Sequence, residues 1–389
     1  MNEHTHTTNS HIPDLDALLA LIRTLVGEVH PKWKNLHFLP DTQLERELGL
    51  DSMARMELRA RIETTLDISL DEAVAINATT PNDLIQAIVA QASGNQADFG
   101  KTRHPGTGKP EVSDLLMGDF GDGENADSAT HQDRHTFSEW LYALYAWPVF
   151  LVIALLTWLL VVLAPFESWR QKLANICART FFMCTFTPFK VTGHEHLDPE
   201  ASSVLVANHA SYLDGIIVTG ALNIPVHFIA KGELSGLWPA RMLLQRFGVE
   251  FVERFNANRG PGDIRRIADK SRNGQSIVFF PEGTFTTFAG LQPFRMGAFV
   301  IAARTNNPVI PIAIKGARNI QRGRNWFPRR GRISVTICPP VLPEGEGWQV
   351  ALKLRDAARR EISQHCGEVD LVENGTPSPS GGGLGRGDQ

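Results

Sequence analysis

The sequence predicts a multidomain chain: a small all-α bundle, then a membrane helix or re-entrant hairpin, then an α/β domain. Three observations carry this expectation. Apolar residues at helical spacing fill the N-terminal quarter, an uncharged apolar run occupies the middle, and short β-rich runs alternate with helical ones beyond it. A chain of 389 residues, 43% hydrophobic and 21% charged, is neither a mini-protein nor wholly disordered.

The first helix runs from Asp14 to Val29, where Leu15, Leu18, Leu19, Ile22, Leu25 and Val26 form one face behind an acidic cap. A loop passes through Pro31 and Pro40. A second helix starts near Asp51-Ser52 with Met53, Met56, Ile62 and Leu66 as its expected inner face, and a last one runs from Asn82 or Asp83 through Leu84, Ile85 and Ile88. Residues 12–92 therefore make a bundle of ordinary domain size. Residues 93–134 are rich in Gly, Asp, Ser and His with no apolar period apart from Leu115-Leu116-Met117, the composition of a flexible linker.

From Trp140 to Phe166 there are 27 residues without a charge, bounded by Glu139 and Glu167, long enough to cross a bilayer core with some tilt. Trp140, Tyr142, Tyr145, Trp147 and Trp169 lie near its ends, where amphipathic rings favour the headgroup layer. Residues 135–188 are accordingly assigned to the membrane, either as one span or with Leu173 to Phe189 returning through or along it, with Pro148 as a candidate bend. Strands are expected at 203–207, 226–230, 249–252, 277–280, 309–314 and 333–337, and helices at 215–222, 236–247, 263–272, 297–304 and 348–363, within an α/β domain of residues 189–370. The Gly, Ser and Pro-rich residues 371–389 read as a disordered tail.

Charge is partitioned unevenly. Residues 11–92 carry 13 acidic against 7 basic side chains and residues 93–134 carry 8 against 4, so the remainder is basic although the whole chain is −4. A basic back half suits an anionic surface, and the apolar run selects a phospholipid membrane over nucleic acid. The polar N-terminus lacks the pattern of a signal peptide, so the first domain is expected in the cytoplasm. The four cysteines show neither CxxC spacing nor metal-ligand clustering, which argues against a disulfide framework or a metal module.

Glu47-Leu48-Gly49-Leu50-Asp51-Ser52-Met53 sets a serine at a helix start behind an acidic residue and a Gly-containing turn. A helix cap alone explains that pattern. Together with the bundle and the later Thr80-Pro81-Asn82-Asp83-Leu84 helix entry, it resembles the prosthetic-group site of acyl and peptidyl carrier proteins. The resemblance implies that 4'-phosphopantetheine is attached to Ser52, with a phosphopantetheinyl transferase and an acyl-loading enzyme as partners. The second helix departs from the acidic pattern usual in such domains, because Arg55, Arg59 and Arg61 mix with Glu57 and Glu63.

Asn208-His209-Ala210-Ser211-Tyr212-Leu213-Asp214 follows the strand expected at 203–207. Five residues at about 100° each would leave His209 and Asp214 on different faces of a helix, so the pair meets only across a strand-to-helix turn. An imidazole oriented by a carboxylate can remove a proton from a hydroxyl, although this spacing alone is weak evidence of catalysis. Lys231-Gly232-Glu233-Leu234, Gly248 to Arg254, Phe280-Pro281-Glu282-Gly283-Thr284 and Val309-Ile310-Pro311-Ile312 follow in order. The set resembles the lysophosphatidic acid acyltransferase family of glycerolipid enzymes over residues 189–362.

That resemblance implies a membrane-bound O-acyltransferase on the cytoplasmic face of a membrane, the inner membrane in a bacterium. It would take an acyl thioester from an acyl carrier or CoA and pass the acyl chain to lysophosphatidate or a related lysolipid. His209 would be the base, Asp214 its orienter, Arg254 a contact for the acceptor's phosphate, and Lys231, Glu282, Gly283 and Thr284 further parts of the substrate site, with no metal. Phe285-Thr286 stands where this family often has Arg-Ser, which also admits a lyso-aminolipid acceptor. In another arrangement, the carrier domain would serve as a docking module for acyl-supply enzymes.

Overall fold

The computed structural model describes residues 15–34, 37–71, 74–75, 78–92, 136–231, 238–252, 260–283, 289–321 and 327–372. The expected linker 93–134, the tail beyond Val372, Arg254 and Thr284 lie outside the described residues. The chain divides into two compact units.

The first unit contains α1 (Leu15–Val29), most of α2 (Ser52–Leu66) and α3 (Pro81–Ala92). Leu18, Ile22, Leu25 and Val26 of α1 are buried as their spacing requires. In α2 the innermost stripe is Ala54, Leu58 and Ile62, an i, i+4, i+8 row, while Met56 and Leu66 are only half-buried. Met53 and Ile62 of the expected face are buried, and the row is completed by the small Ala54 and by Leu58. The segment between α1 and α2 adds Leu44, Leu48 and Leu50, all fully buried. Two ion pairs engage two of the three arginines of α2: Arg61 makes a two-pronged bond to Glu28 of α1, and Arg59 bonds Glu63 one turn on. Helix α3 begins one residue before Asn82, capped reciprocally by Thr80 and Asp83.

The second unit opens with α4 (Phe137–Leu163) and α5 (Glu167–Cys184). Thr136 and Glu139 form a capping box at the start of α4. The helix is long and apolar enough to cross a membrane, and many of its apolar side chains, including Leu141, Leu144, Leu151, Leu155 and Leu159, are exposed. It continues through Pro148 as one helix. Helix α5 turns back along it, and the hydroxyls of Tyr142 and Tyr145 donate to the carbonyls of Thr185 and Cys184 at the far end of α5. Both ends of α4 adjoin the same α/β body. Near its start Arg330 lies over the Tyr142 ring and Trp140 meets Phe327 edge-on; past its end Arg170 donates to the Arg246 carbonyl. Helices α4 and α5 thus form a helical hairpin against that body.

The return expected over Leu173 to Phe189 falls on helix α5, which begins earlier, at Glu167, and carries polar residues along its length. Those residues tie it to the body: Asn175 donates to the carbonyls of Thr219 and Leu222, Arg179 to that of Gly220, and Gln171 to that of Val226.

Seven strands form one sheet: β1 (Phe189–Thr192), β2 (Val204–Ala207), β3 (Val226–Lys231), β4 (Glu250–Val252), β5 (Ser276–Phe279), β6 (Val309–Lys315) and β7 (Ile333–Ile337), in the order β1-β7-β6-β2-β5-β3-β4. Every pairing is parallel except β6 with β7. The connecting helices are α6 (Asp214–Ala221), α7 (Trp238–Arg246), α8 (Gly260–Arg272), α9 (Gly297–Thr305), α10 (Ala317–Ile320) and α11 (Trp348–Cys366). Strand β2 is central and apolar at every position because both faces are covered. Val204 and Val206 join the core formed with α8, α9 and α11, while Leu205 and Ala207 join the core formed with α5 and α6. The expected strands agree with those observed to within a residue or so. Strand β1 went unread, its half-exposed alternation being that of an edge.

Just past the last residue of β2, the Asn208 side chain continues the ladder toward β6, donating to the Ile314 carbonyl at 3.0 Å and accepting from its N–H at 2.7 Å. Asn208→Ala strands two buried backbone groups and should cost about 1–3 kcal/mol. Thermal unfolding of the variant checks this, and an unchanged midpoint would contradict it.

Candidate active site

The chain leaves the C-terminal end of β2 at Asn208, bends through His209 to Leu213, and enters α6 at Asp214. Open α/β sheets commonly place ligand sites beyond the carboxyl ends of their strands. Asp214 is fully buried, and its Oδ2 accepts three hydrogen bonds, from His209 Nδ1 at 2.8 Å, Ala210 N at 2.6 Å and Ser211 N at 2.8 Å. One carboxylate oxygen thus closes the turn and aims the imidazole. His209 and Asp214 meet across the strand-to-helix turn, as their spacing demands. The imidazole packs face to face on Phe280 at 4.5 Å between ring centres, and its side chain is 20% exposed, enough for a substrate to reach it.

Ser211 is 1% exposed; its hydroxyl accepts from Leu213 N and reaches Gln321 Oε1 at 3.4 Å. It is a turn residue, with no path for an acyl donor.

Glu282 follows β5 and is turned inward. Its Oε1 accepts from the His209 N–H at 2.6 Å and its Oε2 from the Gln292 N–H at 2.8 Å. Both oxygens are thus engaged by backbone amides. Burial pushes its carboxyl up to about 8, against the pull of those two amides and of Arg359. Gly283 follows with φ +84°, a left-handed conformation that glycine adopts freely, and its N–H donates to Phe280 O to close the turn. The Lys231 backbone pairs with Val252 at the end of β3; its side chain, like Arg254 and Thr284, lies outside what is described. The structure therefore brings together His209, Asp214 and Glu282. Phe280 and Gln292 complete the surroundings; Phe280 was named only as the start of its motif, and Gln292 carried no signal in the sequence.

At the start of α2, Asp51 Oδ1 accepts the Ala54 N–H at 2.9 Å and caps the helix, so Ser52 is not needed for that task. Ser52 is exposed at the first helical position, and Gly49 before it has φ +66°. A side chain on Gly49 would meet the His30 ring at 2.5 Å, so the turn presenting Ser52 requires glycine. An exposed hydroxyl behind a separate acidic cap fits the attachment of 4'-phosphopantetheine. Elsewhere, Cys338, Glu361 and His365 bring ligand-type atoms within 4.8 Å of one another, a grouping their sequence spacing conceals. Burial and Glu361 push the Cys338 thiol up to about 11, away from the thiolate form.

Residues 188–315 match the acyltransferase family model and residues 16–88 the phosphopantetheine attachment site model. Among curated relatives, 1-acyl-sn-glycerol-3-phosphate acyltransferase BAT2 of Brassica napus is 30% identical over 204 residues, 51% of this chain and 58% of the relative. Enzyme LPAT1 of Arabidopsis thaliana is 28% identical over 45% of this chain and 51% of its own length, and the mouse alpha enzyme 29% over 44% and 61%. The chain thus spans a little over half the length of these relatives. The crystal structure of the 1-acyl-sn-glycerophosphate acyltransferase PlsC of Thermotoga maritima superposes with TM-score 0.50 at 22% identity, covering 58% of this chain and 95% of that one, and shares the fold. The chain therefore carries a phosphopantetheine attachment-site domain followed by an acyltransferase-family domain.

The raised carboxyl of Glu282 has a consequence for stability. Its folded value of about 8 exceeds the usual 4.5, so its contribution is full below pH 4.5 and is lost as pH rises through 8. Glu282→Gln should flatten the decline in thermal midpoint between about pH 5 and 8. An equally steep decline in the variant would contradict this assignment.

Proposed function

We propose that the chain is a membrane-associated O-acyltransferase that moves an acyl group from a thioester to the hydroxyl of lysophosphatidate or a related lysolipid. The observation that carries this reading is the bond from His209 Nδ1 to the buried Asp214 Oδ2. With the proton on Nδ1 donated to the carboxylate, Nε2 is the basic nitrogen. The acceptor hydroxyl gives its proton to Nε2 as its oxygen bonds to the thioester carbonyl carbon. The resulting oxyanion re-forms the carbonyl, the carbon–sulfur bond breaks, and the imidazolium returns the proton to the departing thiolate. The enzyme forms no covalent bond to the acyl group in this step. Arg254 is assigned to the acceptor's phosphate, and Lys231, Gly283 and Thr284 to the walls of its site.

The exposed apolar flank of α4 favours association with lipid, and the hairpin favours both units working at the cytoplasmic face. Ser52 is assigned as the attachment point of 4'-phosphopantetheine, which supplies a thiol able to hold an acyl group as a thioester. A phosphopantetheinyl transferase and an acyl-loading enzyme are then required partners. The donor is the carrier of the same chain. The 42 residues between 93 and 134, as coil, have a typical end separation of about 30–40 Å, and a donor so tethered stands at an effective concentration near the millimolar range.

His209→Ala should abolish transfer to lysophosphatidate with folding intact by circular dichroism, and Asp214→Asn should lose most activity; near-normal turnover in His209→Ala would end the mechanism. A panel that includes a lyso-aminolipid fixes the headgroup, and preference for it over lysophosphatidate would change the acceptor.

Intact mass reads the modification of Ser52. Single-turnover transfer from acylated, detergent-dispersed protein should proceed at a rate independent of protein concentration. A rate proportional to concentration, or full activity of Ser52→Ala with free donors, would make the carrier domain a docking module instead.

A further inference from the structure

The His209 turn is held on its Asp214 side by that carboxylate and on its other side by Glu282, and the support of Glu282 leads away from the site. Gln292, whose N–H donates to Glu282 Oε2, lies in a segment joined to the C-terminal part of the unit. Arg359, on α11 and 8% exposed, donates through Nη1 to the Gln292 carbonyl at 2.5 Å and through Nη2 to the Leu291 carbonyl at 2.9 Å. The same guanidinium is gripped by Asp370, Nε to Oδ2 at 2.9 Å and Nη2 to Oδ1 at 2.6 Å. Phe294 packs beneath it at 4.9 Å. Leu291 N further donates to Val369 O, and Gly290 N to Glu368 Oε2.

We propose that Arg359, locked by Asp370, is a positioning residue for acyl transfer: it fixes the Leu291–Gln292 carbonyls so that Glu282 holds the His209 backbone in its working place. The inference rests on the reading of His209 as the base. A buried arginine whose fork is shared between one carboxylate and two carbonyls is a rigid anchor, which a lysine could not reproduce with its single nitrogen.

The ionised form of Glu282 accepts from both amides; a proton on either oxygen turns a donor toward an N–H and breaks the link. Facing Glu282 are His209 and Asp214 from the β2–α6 turn, Arg359 with its partner Asp370, and the Cys366 thiol at the end of α11. Arg295, exposed, contributes its N–H to the Pro281 carbonyl. Arg359 favours the ionised carboxylate, whereas Asp214 and burial oppose it. Arg359 therefore acts through geometry and through charge, and loss of the charge makes the defect depend on pH.

The test compares full-length wild-type protein with the paired variant Arg359→Met/Asp370→Asn, which leaves no lone buried charge, and with Arg359→Lys. Acyl transfer to lysophosphatidate is measured from about pH 6.5 to 8.5, alongside hydrogen exchange of the peptides containing the His209 and Gln292 amides. If neutralising Arg359 raises Glu282 by about one unit from about 8, kcat should fall about ten-fold at pH 7 but only about three-fold at pH 8.5, with KM for the acceptor unchanged. Protection of the two amides should fall and recover over the same pH range. In a Glu282→Gln background the paired change should add nothing. The same fractional loss at every pH, or a raised KM with kcat intact, would overturn the proposal. Should the paired variant not fold, Arg359→Lys decides: a lower kcat with the acid limb unmoved is expected, and unchanged kcat would overturn the proposal. A wild-type protein that acylates no lysolipid would refute the functional reading, while hydrogen exchange would still judge the relay.

Discussion

Three hydrogen bonds converging on one oxygen of Asp214 are the constraint on which the acyltransferase-family unit is built. A carboxylate this deeply buried is costly unless its charge is met by donors. The donors available are the imidazole of His209 and two successive amides, and they can reach one oxygen only if the chain bends sharply between β2 and α6. The fold of the turn and the direction of the imidazole are therefore one fact. Much of the surrounding architecture keeps that bend in place: Asn208 fastens its entry to β6, Phe280 lies against the ring, and Glu282 takes the His209 amide.

The helical hairpin and the sheet are joined just as specifically. An apolar helix with both ends against the same body has its flank free for lipid while the polar residues of α5 are used for docking rather than for water. Asn175, Arg179 and Gln171 would look misplaced in a second membrane span, yet each meets backbone carbonyls, of α6 and its end or of the start of β3. A site at the C-terminal edge of the sheet and an exposed apolar helix thus belong to one body. Where the donor is concerned, the separation of tasks at the start of α2, with Asp51 capping and Ser52 exposed, keeps the hydroxyl available for modification.

Much of this was legible in the sequence where one local rule decided the outcome. The strands at 204–207, 309–315 and 333–337 announce themselves by β-branched apolar runs, and the His209–Asp214 spacing is compatible only with a turn. Met53 and Ile62 of the expected α2 face are buried, but Ala54 carries too little hydrophobic weight to mark the row it shares with Leu58 and Ile62. Edge strand β1 and the early start of helix α5 were hidden for the opposite reason, their patterns being diluted by polar residues. The inward direction of Glu282 was not legible at all. Its two amide donors come from positions 73 and 10 residues away, and the arginine behind it from α11. Sequence marks which residues carry chemistry more readily than which way a buried side chain faces.

The central claim is that His209 works as a base because Asp214 fixes its tautomer, and this is open to direct observation. Nitrogen-15 NMR of protein labelled at histidine, with the His209 resonances assigned by their loss in His209→Gln, distinguishes the two neutral ring forms by shift. The account predicts a proton on Nδ1 and none on Nε2 in the neutral ring, with the pattern lost in Asp214→Asn. A neutral His209 carrying its proton on Nε2 would contradict it, because the nitrogen facing the substrate would then have no lone pair to receive a proton.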